Sequence, residues 1–309
     1  MTPKSTMKIA VLIPTLNSAR HLAESILSIK EGSTPCDIWI LDGGSEDGTQ
    51  ALALCLGCRV DSGPGEHPAF RIDDWLAWEA TSVHGYTHVA IQHSDDIALP
   101  DRLALQLAAF ERNPELGCVG GAMKPFWHEP AKGIFQSQGP VCAPLHHNEI
   151  LAQLPFWWVM PAPALMFNVA KLRATGVPFH NEFAFCNDWL HTWQLFKAGL
   201  CFGNVREQIL CYRRHPHSDG PMHRDQVNRE TADCRMAILR DMGFDTTGYQ
   251  AIHEALHLEG GDLWQGTDEQ KLKAGDWLIS LIRQNGKLQR IPTAEFEQLI
   301  HLIWHQLYP

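Results

Sequence analysis

Four short stretches carry residue types that chemistry needs. In "VAIQHSDDIALP" an apolar run ends on His93, and Asp95 and Asp96 follow. Carboxylates and an imidazole at a strand end suit a hard divalent cation, Mg2+ or Mn2+, whose remaining positions substrate phosphates can fill. The bland reading is that Asp96 or Asp101 caps the next helix, which leaves one aspartate of the pair without a task. "LDGGSEDGT" (Leu41–Thr49) reads as a strand, a glycine-rich turn and a helix start. Glycines let backbone N–H groups approach a ligand closely. The spacing of Gly43, Gly44 and Gly48 is not G-x-G-x-x-G, and no Walker lysine follows. The turn is acidic, and carboxylates suit hydroxyls, a base N–H or a metal better than bare phosphate. Asp42 reads equally well as a ligand or as structure, whereas Asp47 reads as the opening of a helix.

"FCNDWLHTW" puts Asp188 at a helix N-terminus. The helix dipole stabilises an anion there, and an ionised carboxylate is what a general base requires. Taken alone, the position is also that of a helix cap. "CYRRHPHSDG" (Cys211–Gly220) gathers Arg213, Arg214, His215 and His217 in one turn. Arginine fits diphosphate oxygens, and histidine fits Mn2+ or phosphate. The rival reading is a surface turn, and it suits His217 best. "CLGC" has redox or half-zinc spacing at Cys55 and Cys58, but no second pair follows among the nine cysteines. These thiols read as small buried apolar groups in a reducing compartment, the cytosol.

The elements that must position these residues alternate. "KIAVLIP", "CDIWILD", "CRVDS" and "THVAIQ" read as strands. Between them lie helical patterns: "SARHLAESILSIKEG" with Leu22, Ile26 and Ile29 in phase, a helix opened by Asp47, and "RIDDWLAWEATSVHG". "LPDRLALQLAAFERNP" follows as another helix. This rhythm implies an α/β fold with a parallel sheet. Ligands in such sheets sit at the carboxyl ends of the strands, where Thr15–Asn17, Asp42–Thr49 and His93–Asp96 all fall. From 120 to 163 the periodicity weakens, and the stretch reads as loops and short strands. "NDWLHTWQLFKAG" is a helix, "FGNVREQILCYRRH" a strand, and the tail from Asp225 is helical, with Thr267 and Gln270 spaced for a capping box.

The chain has 309 residues, 45% of them apolar and 19% charged, with a formal net charge of -10. That composition is globular, and the charge argues against nucleic acid as a partner. No stretch approaches the ~20 apolar residues of a membrane span.

In this order, the clusters resemble those of family-2 glycosyltransferases with the GT-A fold. "IPTLNSARHLAESILSI" is similar to their opening strand and helix, and "LDGGSEDGT" to their D-(D/G)-G-S-x-D-G-T element. "HSDDIALPDRLALQ" resembles the D-A-D-D-I-x-x-P-x-R-L-x-x-Q stretch of bacterial surface-polysaccharide enzymes. "CNDWLHTWQLFKAG" and "YRRHPHS" resemble the later E-D-x-x-L-W-x-R and Y-R-x-H-x-x-S segments. The resemblance spans residues 7–220. It implies a Rossmann-like GT-A domain over 1–222, with a nucleotide-sugar half (7–120), an acceptor half (121–222) and a helical extension over 223–309. It also implies an inverting transfer from a nucleotide-diphosphate sugar to an acceptor hydroxyl, in a cytoplasmic enzyme that can touch the inner face of the membrane. The acceptor would be a saccharide or lipid-linked. Asp188 would be the base. Thr15, Asn17, Asp42, Gly44, Arg71, Asp96, Arg213 and Arg214 would bind the donor. Asp95 and His215, with His93, would hold Mg2+ or Mn2+.

Two departures stand out. His93 replaces the first aspartate of the usual D-x-D, and Asn187 the usual glutamate before the base. They leave room for a non-catalytic nucleotide- or sugar-binding relative. A sugar nucleotidyltransferase is less well matched, because "IPTLNSARHL" stands where its glycine-rich loop would be.

Overall fold

A computed structural model describes residues 7–63, 72, 75, 84–129, 134–139, 141, 143–179, 182–256 and 266–308. Most of the helix expected over 71–85, with Arg71, lies outside these residues. In chain order the elements begin β1 (Ile9–Thr15), α1 (Ala19–Lys30), β2 (Asp37–Asp42), α2 (Thr49–Cys55), β3 (Arg59–Ser62), β4 (His88–Ile91) and β5 (Ile97–Ala98). There follow α3 (Arg102–Arg112), β6 (Leu116–Glu129), β7 (Ile134–Ser137), α4 (His147–Gln153), a 3-10 turn (Ala162–Ala164), β8 (Met166–Asn168), α5 (Val169–Thr175) and α6 (Asn187–Lys197). The chain continues with β9 (Cys201–Arg214), α7 (Asp219–Met222), α8 (Arg224–Asp241), α9 (Gln250–Ala255), α10 (Asp268–Leu288) and α11 (Thr293–Leu307).

Two compact units result. One is Met1–Leu145 with Met160–Met222, the other His146–Val159 with His223–Pro309. Residues 146–159, inside the acceptor half expected from sequence, therefore cluster with the C-terminal helices.

The first unit is α/β, and its sheet is mixed rather than purely parallel. Among the described residues the strand order is β3-β2-β1-β4-β8-β6-β9-β5, with β7 paired to β6. β3, β2, β1 and β4 are parallel, as the apolar runs of β1, β2 and β4 imply. The three-residue β8 then enters antiparallel between β4 and β6. β6 and β9 run parallel to each other, and β5 lies antiparallel on β9. This last pairing sets Ile97 opposite Cys211, which carries the His93–Asp96 loop to the end of β9. The region from 120 reads as loops and short strands by sequence, yet β6 runs as one strand of 14 residues to Glu129. It is paired to β9 on one side and to β7 or β8 on the other, and residues 116–123 are buried on both faces, so no solvent-facing alternation marks them. Gly121 allows the close β6–β9 approach, since a Cβ there would meet Ile209 Cδ1 at 2.7 Å.

α1 covers the sheet with Leu22, Ile26 and Ile29, the expected stripe. α2 begins at Thr49, not Asp47, because Gly48 stands in the left-handed region at φ 90° as its cap. Cys55 is exposed and Cys58 buried, so burial accounts for only one thiol of the C-x-x-C pair.

The second unit is helical. α11 buries Phe296, Leu299, Ile300, Ile303 and Leu307, a stripe at helical spacing. The Thr267–Gln270 capping box forms as expected at the start of α10. Beneath these helices, Trp277 Nε1 donates to His253 Nδ1 at 3.1 Å, and His253 Nε2 lies 2.9 Å from Pro155 O. Arg235 is buried beside it and donates to His253 O at 2.8 Å.

Candidate active site

Three loops at the carboxyl ends of the parallel strands are tied into one arrangement. Asp42 closes β2 and is fully buried. Its Oδ1 accepts from Thr15 Oγ1 (2.9 Å) and Ser45 Oγ (2.5 Å). Its Oδ2 accepts from Gly44 N (3.0 Å), Ser45 N (2.8 Å) and Gln50 Nε2 (2.8 Å). Burial alone would raise its pKa, but the bonds from Ser45, Gln50 and Thr15 outweigh it and hold the carboxyl below its ordinary range. Five donors occupy this carboxylate, so its first task is to shape the glycine turn. Asn17 sits in the left-handed region at φ 50°, accepts from Glu46 N (3.0 Å) and donates its N–H to Ser45 Oγ (2.8 Å).

Asp47 pins two helix starts. It accepts from Ala19 N of α1 (3.0 Å) and Thr49 N of α2 (3.0 Å). Ser18 in turn donates its N–H to Thr49 Oγ1 (2.8 Å), and Ser94 Oγ bonds Ser18 Oγ (3.0 Å). Through Ser18, the glycine turn is joined to the His93–Asp96 loop.

That loop is held from below. Gln92 donates to Ser25 Oγ (3.1 Å) and to Asp96 O (3.0 Å). The buried Arg102 donates to Gln92 Oε1 (2.6 Å) and Ile91 O (2.7 Å), and Gln106 donates to Val119 O (2.7 Å) and Ala164 O (2.8 Å). Burial lowers the Arg102 pKa to about 10, with Asp96 opposing. Arg102 and Gln106 are the R and Q of "DRLALQ". They are a buttress, a task that sequence spacing did not disclose.

From the side, β9 clamps the loop. Arg213 N donates to Asp96 Oδ1 (2.8 Å), and its Nε donates to Asp95 O (2.7 Å). Its Nη1 meets His128 Nδ1 and its Nη2 meets Glu24, each at 2.5 Å, while the guanidinium lies 4.8 Å from the Phe126 ring. Every arm of this buried arginine is engaged by protein, so the structure places it as a brace of the loop. Arg214, the next residue on the strand, is exposed. His215 Nδ1 accepts from His217 N (3.2 Å), which puts its proton on Nε2, 3.1 Å from Asp95 Oδ2.

The two aspartates differ in consequence. Burial and the neighbouring Asp95 raise the Asp96 pKa well above the usual carboxylate value, against Arg213 and Arg102. Its Oδ2 is buried with no hydrogen-bond partner, 4.0 Å from His93 Nδ1. Burial also acts to raise Asp95, but the His215 hydrogen bond and the nearby His93 and His215 bring it below the ordinary value. His93, Asp95 and Asp96 offer ligand atoms within 4.8 Å of one another. A divalent cation fits this group, since it would satisfy the orphaned oxygen and relieve the repulsion between the carboxylates. His215 falls outside it.

Asp188 lies in the first turn of α6, buried, and accepts from Ala162 N at 3.0 Å. Tyr212 stands within electrostatic reach of it and of Asp95 and Asp96. Burial raises that phenol first, and Asp96, Asp95 and Asp188 all push it further. Glu24, His128, Tyr212 and His21 were not legible as site residues. The His21 ring centroid lies 5.0 Å from that of His215, and burial with the charge of Arg213 lowers its pKa to about 4. The only sequence signal was His21 and Glu24 three apart on α1, which marks one helix face and no more.

Solved glycosyltransferases share this fold. Staphylococcus aureus TarS 1-349 in complex with UDP-GlcNAc superposes with a TM-score of 0.56 at 16% identity, covering 97% of this chain and 88% of that one. The mannosyltransferase PcManGT from Pyrobaculum calidifontis, in complex with GDP-Man and Mn2+, gives 0.56 at 15% identity, over 99% and 87% of the two chains. Glucosyl-3-phosphoglycerate synthase from Mycobacterium tuberculosis, in complex with Mn2+, UDP and glucosyl-3-phosphoglycerate, gives 0.51 at 19%, over 79% and 82%. At these identities the likeness is one of fold, and this chain spans about half (53%) of a longer TarS chain. No curated protein matches the sequence. The fold is GT-A, the α/β fold of nucleotide-sugar glycosyltransferases. Residues 10–137 match the glycosyl transferase family 2 model.

Proposed function

We propose that this chain is an inverting glycosyltransferase that moves a sugar from a nucleotide-diphosphate sugar to an acceptor hydroxyl. The observation that carries the reading is the orphaned, buried Asp96 Oδ2 beside His93 and Asp95, at the end of β4 in a family-2 domain. His93, Asp95 and Asp96 hold a divalent cation, Mg2+ or Mn2+. When bound, that cation supplies charge neutralisation for the leaving diphosphate. Thr15, Asn17, Asp42 and Gly44 shape the nucleotide end of the cleft. Arg213 keeps the Asp95–Asp96 loop in place, and the exposed Arg214 is a cation for donor phosphates.

Asp188 is the base. The Ala162 N–H on Oδ2 and the N-terminal end of α6 favour its ionised form. As the acceptor oxygen bonds to the anomeric carbon, the bond from that carbon to the diphosphate oxygen breaks on the opposite face. The acceptor proton passes to Asp188. No helix among the described residues is long and apolar enough to cross a membrane. The setting proposed is cytoplasmic, and the acceptor a saccharide or lipid-linked hydroxyl of cell-surface polysaccharide or glycolipid synthesis.

The test is Asp188→Asn and Asp188→Ala, with donor binding measured separately by calorimetry. Transfer should fall by roughly 10²–10⁴-fold while donor affinity is kept. Undiminished turnover refutes the base assignment. Tight nucleotide binding by the unmodified chain, with no transfer across an acceptor panel and no slow donor hydrolysis, would identify a non-catalytic relative instead.

A further inference from the structure

The donor set at the end of β4 contains one nitrogen among oxygens, and that nitrogen bears on which cation the site accepts. We propose that His93 makes the site select Mn2+, and borderline transition cations such as Co2+, over Mg2+. This rests on the reading of His93, Asp95 and Asp96 as the cation site and names the property that this chain's own sequence adds to it.

The geometry leaves few atoms open. Asp96 Oδ1 is taken by Arg213 N at 2.8 Å. Asp96 Oδ2 has no partner and faces His93 Nδ1 across 4.0 Å, too far for a hydrogen bond. The two open atoms at this point are therefore an imidazole nitrogen and a carboxylate oxygen that look at each other. The backbone of His93 is fixed there, since its carbonyl accepts from Ser25 Oγ at 2.9 Å and from Asp96 N at 3.3 Å. Its side chain is 37% exposed, so with Nδ1 turned to the cation Nε2 can keep its proton and give it to water. Of the nearby imidazoles, His21 lies outside the group that shares ligand distances, and His215 has no lone pair to offer. His215 accepts from His217 N on Nδ1, and its protonated Nε2 points at Asp95.

A nitrogen ligand separates cations that carboxylates alone hardly distinguish. Mg2+ demands oxygen ligands in near-ideal octahedral array and sheds water reluctantly. Imidazole suits the first-row transition ions, and affinity rises from Mn2+ towards Co2+ at a given site. Aspartate at position 93 would restore an all-oxygen set that serves Mg2+ as well.

The experiment uses the full chain. His301 and His305 on α11 have Nε2 atoms 3.1 Å apart and form a second imidazole pair that could capture transition ions. Titrations are therefore run in a His305→Ala background. Calorimetry with Mn2+ and with Mg2+ should show a preference for Mn2+ of roughly tenfold or more, falling towards parity in His93→Asp and His93→Ala. Pulsed electron paramagnetic resonance of the Mn2+-loaded chain should show modulation from a directly bound imidazole nitrogen, lost in both variants. Equal affinities for the two ions, or Mn2+ bound with no nitrogen modulation, overturns the selectivity while leaving a cation site standing. Failure to bind either ion, with Asp95→Asn indistinguishable from the parent, overturns the cation site and this inference together. If the His93 variants do not fold, the nitrogen signal of the parent chain decides alone.

Discussion

Asp42 offers the sharpest test of how the glycine turn is built. Its carboxylate accepts five hydrogen bonds, from Thr15, Gly44 N, Ser45 N, Ser45 Oγ and Gln50. In Asp42→Ala the two hydroxyls and the Gln50 amide can turn elsewhere, but the N–H groups of Gly44 and Ser45 lose their acceptor. A hydrogen bond to a charged group contributes about 1.5–3 kcal/mol, and water can reach the exposed Gly44 and part-buried Ser45, so the loss for two is roughly 2–4 kcal/mol. Asp42→Asn is milder. Its amide oxygen can take the Oδ2 position and keep three donors, while its NH2 faces two hydroxyls that can rotate to accept. The loss is then the ionic part of those bonds, about 1–3 kcal/mol in all. The assay is urea unfolding by circular dichroism, with amide exchange at Gly44 and Ser45 as the local readout. The sign with pH follows from the lowered pKa of Asp42. Its contribution is complete above the unfolded value of about 3.9 and is lost as pH falls through the lower folded one. The gap between parent and Asp42→Asn should thus be flat from pH 7 to pH 5 and close below about pH 4. An Asp42→Ala chain within about 0.5 kcal/mol of the parent, with both amides still protected, would refute the reasoning.

Two further outcomes follow from other parts of the molecule. Arg213→Lys should weaken donor or cation binding by roughly tenfold, because a point ammonium cannot reach Asp95 O, His128 and Glu24 together. Glu24→Gln should change little, since Glu24 is 55% exposed; parent-like binding by Arg213→Lys would remove the brace. In the helical unit, burial and Arg235 lower the His253 pKa well below 6.5. A His whose folded pKa is depressed contributes stability above its unfolded value and loses it as pH falls below about 6.5, by about 1.4 kcal/mol per pH unit. His253→Gln, which can still accept from Trp277 and donate to Pro155, should flatten that slope in melts between pH 6.5 and 5, and an unchanged slope would assign the pH dependence elsewhere.

Much of this molecule is local and therefore legible in the chain. Apolar runs marked β1, β2 and β4, and the stripe of Leu22, Ile26 and Ile29 marked α1. Thr267 and Gln270 marked the start of α10 by their spacing alone. The polar strand ends at Thr15, Asp42 and His93–Asp96 were visible because a strand's end is where its apolar run stops. Their order along the chain carried the resemblance to family-2 glycosyltransferases. β6 was not visible as one long strand beyond residue 120, because its side chains are buried on both faces as far as Met123 and show no alternation. The start of α2 was misplaced by two residues, because Gly48 takes a left-handed conformation that sequence allows but does not require.

What a residue does once placed was decided by neighbours far along the chain. Asp47 and Arg213 show it best: one reads as a cap and pins two helices, the other reads as a phosphate ligand and is spent bracing Asp95 and Asp96. The cause is that β5 lies antiparallel on β9, a pairing no local pattern encodes. It sets Asp96 against a strand more than a hundred residues away, leaving one carboxylate oxygen without a partner opposite His93. The sequence alone determined which residue types reach the ends of the strands. Only the tertiary structure decided which of their atoms remain open, because hydrogen bonds between distant segments consume the rest.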